Sequence, residues 1–127
     1  MDYPAKELLR FILESIEQIR FTFKDVKSVD DLLDRPEAVM RLDAISMRVQ
    51  AIGETIKNIQ KHDPALLTSV APKDYWSDIA KMRDIISHHY INIDAEVVFD
   101  VCANELDQLE AYIKRLYHAD PPHPQDL

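Results

Sequence analysis

Gly53 is the single glycine in 127 residues. Hairpins and barrels draw on glycine repeatedly for tight turns and left-handed backbone, so this chain is poorly suited to a turn-rich β fold. Most of the seven prolines stand outside the stretches in which apolar residues recur. Long uninterrupted helices are what such a sequence allows.

The apolar spacing places four of them. The first is expected from Pro4 to Phe23, where Leu9, Ile12, Ile16, Ile19 and Phe23 recur at steps of three and four. The stretch 24–35 breaks the period, and Val29, Leu32 and Leu33 suit a short packed turn. Pro36 then opens a longer helix with the seam Leu42, Ile45, Val49, Ile52, Ile56 and Ile59, ended by His62-Asp63-Pro64. A loop carrying Pro64 and Pro72 leads to a third helix from Tyr75 to His89. The fourth begins after Asp94, a plausible N-cap, with the seam Val98, Cys102, Leu106, Leu109, Ile113 and Leu116. The expected fold class is therefore all-α: an up-and-down four-helix bundle over residues 1–117 with one extra helical turn. Residues 118–127 hold three prolines and no apolar period, and read as a disordered tail. The second seam is about 25 Å long at 1.5 Å per residue. One small bundle is not expected to cover it, which points to a homodimer.

Fifteen basic residues stand against 23 acidic ones, a formal net charge of −8. That balance disfavours non-specific nucleic-acid binding. Any RNA must meet a local basic patch, and Lys57, Lys61, Lys73, Lys81 and Arg83 supply one if the second and third helices converge. The lone Cys102 lies on an apolar seam and reads as a buried small hydrophobe. Neither a signal peptide nor a membrane-spanning run is evident, so a cytoplasmic protein with no membrane association is expected.

The densest polar constellation is Lys81, Arg83, Asp84, Ser87, His88, His89, Tyr90 and Asn92. Periodicity alone reads it as the solvated face opposite Ile79, Met82 and Ile86. However, His88, His89 and Tyr90 are consecutive and flanked by isoleucines, a setting that tunes a histidine's protonation. Arg83 offers a planar fork suited to phosphate. Adjacent histidines on a helix point about 100° apart, and no cysteine or acidic quartet surrounds them, so no metal and no cofactor is expected. His62, His118 and His123 read as solvated.

The run Met82-Arg83-Asp84-Ile85-Ile86-Ser87-His88-His89-Tyr90 resembles the Arg-X4-His-X-Tyr motif of HepT-like toxins in the HEPN superfamily. Trp76 upstream, Ile91-Asn92-Ile93-Asp94 downstream and Ile52-Gly53-Glu54 on the long helix fit the same pattern, and the resemblance spans the first helix through the fourth. It implies a HEPN-like bundle acting as a metal-independent endoribonuclease, the toxin of a type VII toxin–antitoxin pair. His88 would be general acid or base, Arg83 would stabilise charge in the transition state, and Asp84 would orient either one. Ser87 and His89 would support them. Tyr90 would be the site of adenylylation by a minimal nucleotidyltransferase antitoxin of the MntA type, placing an anion where substrate phosphate must sit. Otherwise Tyr90 is a helix-end aromatic packing on Ile93.

Two expectations concern geometry. Residues five apart on an ideal α-helix diverge by about 140°, so Arg83 and His88 need either a distorted helix or two copies meeting across a dimer axis; the resemblance favours the dimer. Gly53 in a helix interior costs about 1 kcal/mol relative to Ala. Something must therefore approach its backbone closely, and the third helix is expected to cross there with Glu54 partnering Arg83 or a neighbour. Two other functions remain open: a non-catalytic module that docks a nucleotidyltransferase, favoured by the acidic charge, and a nucleotide-binding accessory subunit.

Overall fold

The computed structural model describes residues 4–84 and 94–119. Among these there is no strand. Helix α1 (Ala5–Phe23) is followed by a 3-10 turn at Val29–Leu32, then by the long α2 (Pro36–His62). A short α3 (Pro64–Thr68) leads to α4 (Lys73–Ala80), which tightens into a 3-10 turn at Lys81–Asp84. The last rod comprises α5 (Ala95–Asp100), a π-helical segment (Val101–Glu105) and α6 (Leu106–His118). No helix of the described residues is long and apolar enough to cross a membrane. Residues 120–127, most of the expected tail, lie outside the described residues.

The expected seams of the first, second and fourth helices are buried, apart from the half-buried Phe23, and Ile86 of the third lies outside the described residues. Leu9, Ile12, Ile16 and Ile19 of α1 meet the α2 seam from Leu42 to Ile59, and the α6 rod closes the core with Val98, Cys102, Leu106, Leu109, Ile113 and Leu116. Burying each such aliphatic side chain contributes roughly 1.5–3 kcal/mol. Because the α2 seam is fully covered within one chain, it does not call for a second copy as its length had suggested. The large apolar side chains left exposed on α2 are Val39, Met40 and Met47.

Local chemistry sets most of the boundaries. Pro36 occupies the first position of α2, after an extended Arg35. Asp94 caps α5, its side chain accepting from the backbone N–H of Glu96 at 3.0 Å and of Val97 at 3.3 Å. Where a loop was expected after Pro64, Asp63 caps α3 by accepting from the Leu66 N–H at 3.3 Å, and Pro64 takes the first position. An Asp-Pro helix start is the physical reason for this correction. The π segment was likewise unforeseen. Steps of four from Val98 to Cys102 and again to Leu106 rotate an α-helical seam by about 40° each, and the wider i→i+5 turn takes up that drift.

Two clusters lock the rod and α4 in place. Arg20 of α1 donates to Asp107 at 2.7 Å and Glu110 at 3.4 Å on α6. Although burial opposes it, these carboxylates raise the Arg20 pKa further above its usual value. Phe23 packs edge-on against Phe99 with ring centroids 5.4 Å apart. On the other side, Tyr75 of α4 meets Tyr112 of α6 at 5.1 Å, and burial raises the Tyr75 pKa. Trp76 is fully buried, and its indole N–H donates to the Leu67 carbonyl at 2.7 Å, tying α4 to α3. Trp76→Phe removes the indole bond and some of the buried ring volume, while the Leu67 carbonyl still accepts from the Val70 and Ala71 N–H groups at 3.2 and 3.3 Å. We expect a loss of about 0.5–1.5 kcal/mol from the hydrogen bond, with the lost ring volume adding to it, in chemical denaturation; an unchanged midpoint would show that neither contributes.

Cys102 is buried as expected, and burial pushes its thiol up to about 12 against a smaller opposing pull from Arg20. The thiol form therefore dominates at neutral pH and alkylation should be slow. Iodoacetamide at pH 8 should modify Cys102 readily in denaturant and hardly at all in the folded chain; equal rates would contradict the burial.

Candidate active site

The site is built where α4 runs out. The α-helix expected to continue from Tyr75 to His89 instead ends at Ala80, and Arg83 and Asp84 belong to the 3-10 turn that follows. The 140° divergence of an ideal α-helix therefore does not apply at Arg83, where the backbone is 3-10, the distorted-helix alternative. Helix ends commonly tighten in this way, and here the turn also lies directly on α2.

Gly53 makes that close contact possible. A Cβ at this position would lie 3.0 Å from the Ala80 carbonyl oxygen and 3.1 Å from Arg83 Cα, and closer still to the Arg83 backbone nitrogen. All three are atoms of the crossing chain's backbone, which cannot swing aside as a side chain can. The expected crossing is thus present, and the lone glycine has a spatial cause.

The same crossing sets Glu54 beside the motif arginine. Arg83 Nη1 stands 3.7 Å from Glu54 Oε1, and Arg83 Nε stands 3.7 Å from Asp84 Oδ1. These separations exceed hydrogen-bond length. Pairs this loose and this solvated contribute about 0–1 kcal/mol and orient the guanidinium more than they stabilise the fold. Arg83 is 34% exposed, so its fork remains accessible from solvent while its stem is packed. Arg83, Asp84, Lys57 and Lys81 line a cleft of about 220 Å³ together with Gln60 and Ser77.

Of the other expected site residues, Ser87, His88, His89 and Tyr90 lie outside the described residues. Among the described residues no group of three or more His, Cys, Asp or Glu side chains is arranged to hold a metal. The condition set for a basic patch is met. Lys57, Lys61 and Lys73 line one cavity, and Lys57, Lys81 and Arg83 line the neighbouring cleft. Sequence reading missed the apolar side of this groove, since it depends on α3, whose Asp63-Pro64 start was the available signal.

The sequence has a counterpart among known families. A family model described as Ribonuclease HepT-like matches residues 12–116, most of the chain. The chain belongs to the HepT-like ribonuclease family. A Thermococcus cleftensis protein named Probable ribonuclease HepT is 27% identical over 116 residues, covering 91% of this chain and 98% of that one. A Methanocaldococcus jannaschii protein named as a candidate RNase is 24% identical over 123 residues, covering 92% and 96%. A second protein of that organism, named as a gamma-glutamylcyclotransferase and candidate RNase, is 31% identical over 116 residues; the match spans 91% of this chain and 49% of the longer one. No solved structure matches. In this HepT-like chain the matched region contains α1 from Ile12 onward, the Gly53 crossing, the whole Arg83-to-Tyr90 motif and the α6 seam.

Proposed function

We propose that this HepT-like protein is a cytoplasmic, metal-independent endoribonuclease, the toxin of a type VII toxin–antitoxin pair. The observation that carries the reading is the seating of the Arg83 turn on Gly53, which sets the motif arginine beside Glu54 and at the end of a lysine-lined groove. RNA brings its own nucleophile. His88 accepts the proton of a ribose 2′-OH, the oxygen attacks the adjacent phosphorus, and the 5′-oxygen leaves with a proton supplied by the site. Arg83 stabilises the charge that builds on the non-bridging oxygens. Asp84 and Glu54 hold the guanidinium in register, while Ser87 and His89 support the histidine.

Two further elements rest on the family resemblance. The working unit is a homodimer with a composite cleft, and Tyr90 is silenced by adenylylation from an MntA-like nucleotidyltransferase. An AMP group two residues from His88 both fills the phosphate position and repels the substrate's charge.

Expression should arrest growth, and the purified chain should degrade RNA in EDTA. Co-expression with the cognate transferase should abolish both and add the mass of AMP to the peptide carrying Tyr90. An inhibited complex with unmodified Tyr90 would remove the adenylylation step. The second reading, a non-catalytic docking module for that transferase, is favoured by the net charge of −8. It prevails if the chain binds the transferase tightly and neither arrests growth nor cuts RNA.

A further inference from the structure

Beside the Arg83 cleft lies a larger cavity of about 510 Å³, within the roughly 300–1,000 Å³ range of small-ligand sites. Its walls come from the C-terminal half of α2, from α3 and from the start of α4. Leu67 and Pro64 form an apolar side backed by the buried Trp76. Lys57 and Lys61 of α2 and Lys73 of α4 line the same cavity. No carboxylate among the described residues lines it, although the chain has 23 acidic residues. An acid-poor, lysine-rich wall on such a surface is a local field for an anion.

The cavity adjoins the proposed catalytic cleft: Lys57, Gln60 and Ser77 line both. At their junction Gln60 Nε2 lies 3.4 Å from Ser77 Oγ, and this amide–hydroxyl pair can meet a base edge or a ribose hydroxyl. An apolar wall for a base, ammonium groups for a phosphate and polar groups between them match the three parts of a single-stranded nucleotide.

We infer that this cavity is an RNA subsite: it takes the nucleotide flanking the cleaved phosphodiester, base against Leu67 and phosphate between Lys61 and Lys73. This assignment rests on the ribonuclease reading above, and it answers how an acidic chain recruits RNA. Attraction is confined to one groove that leads to Arg83.

The test measures binding of a fluorescent single-stranded RNA octamer to the full chain, with His88→Ala in every sample so that the probe stays intact. Adding Lys61→Ala with Lys73→Ala should weaken binding at least tenfold. The slope of log K against log salt should fall by about 0.7, the contribution of the one phosphate held between the two lysines on a single strand. The charge-matched control is Arg10→Ala with Lys114→Ala, which line a separate cleft between α1 and α6; it should leave binding and slope nearly unchanged. Equal weakening by both pairs overturns the subsite in favour of a general field. So does unchanged RNA binding accompanied by lost binding of the nucleotidyltransferase, which would make the groove a protein-docking surface.

Cleavage separates this inference from its foundation. With His88 intact, the Lys61/Lys73 pair should raise KM for the octamer with kcat retained, and the KM effect should shrink for a dinucleotide, which lacks the outer phosphate that the two lysines hold. Wild-type cleavage with an unchanged KM in the lysine variant overturns the subsite and leaves the ribonuclease standing. Lysine-dependent RNA binding without any cleavage does the reverse.

Discussion

His88→Ala is expected to lower RNA cleavage in EDTA by about 10²–10⁴-fold, the usual contribution of a positioned general acid or base. Arg83→Ala is expected to lower it by about 10²–10³-fold, comparable to removing one preorganised donor to a developing anion. Arg83→Lys keeps the charge, loses the planar fork and should fall between Arg83→Ala and wild type. Loss of the guanidinium's pairs with Glu54 and Asp84 should by itself move the melting temperature little in either Arg83 variant, because both pairs are loose and exposed. A rate preserved in His88→Ala would remove that residue from the chemistry. A collapse of the fold in Arg83→Ala would instead make the arginine structural.

Gly53→Ala should be harmful, against the usual trend for a helical glycine. In an open helix interior the change gains close to 1 kcal/mol of helix propensity. At this crossing the new methyl would meet the backbone of Arg83 and the Ala80 carbonyl. Neither belongs to a flexible side chain, so α2 and the 3-10 turn must separate. Overpacking of this kind costs typically about 1–3 kcal/mol, enough to outweigh the propensity gain. Displacing Arg83 by about 1 Å is expected to cost up to roughly 10²-fold in rate. Thermal melts and EDTA cleavage assays on the same preparation check both parts. A variant as stable and as active as wild type would mean that the crossing yields easily and does not position the arginine.

The helices were legible because each seam follows a 3.6-residue period that tertiary packing only had to accept, as Ile45 to Ile59 and Leu106 to Leu116 did. Gly53 was legible for another reason: nothing local explains a glycine in the middle of a long helix, so its cause had to lie in space. What covers a seam is not written in the seam itself. The α2 stripe suited a second copy as well as it suited α1, α4 and the α6 rod, and the fold chose the latter. The 3-10 turn at Arg83 and the π segment at Cys102 were hidden, since both are one-residue adjustments made by packing. Lys57 and Lys61 share a helix face and pointed to a basic strip. Their convergence with Lys73 over Leu67 needed the short α3, and only the three-dimensional arrangement supplies it.

The most direct measurement of the central claim is product analysis after incubating the purified chain with an RNA oligonucleotide in EDTA, beside the same sequence carrying 2′-deoxyribose throughout. If the 2′-OH is the nucleophile, the RNA alone is cut and its fragments end in a 2′,3′-cyclic phosphate and a 5′-hydroxyl. Cleavage that appears only when magnesium or manganese is restored, or that cuts the deoxy strand equally well, would contradict the account.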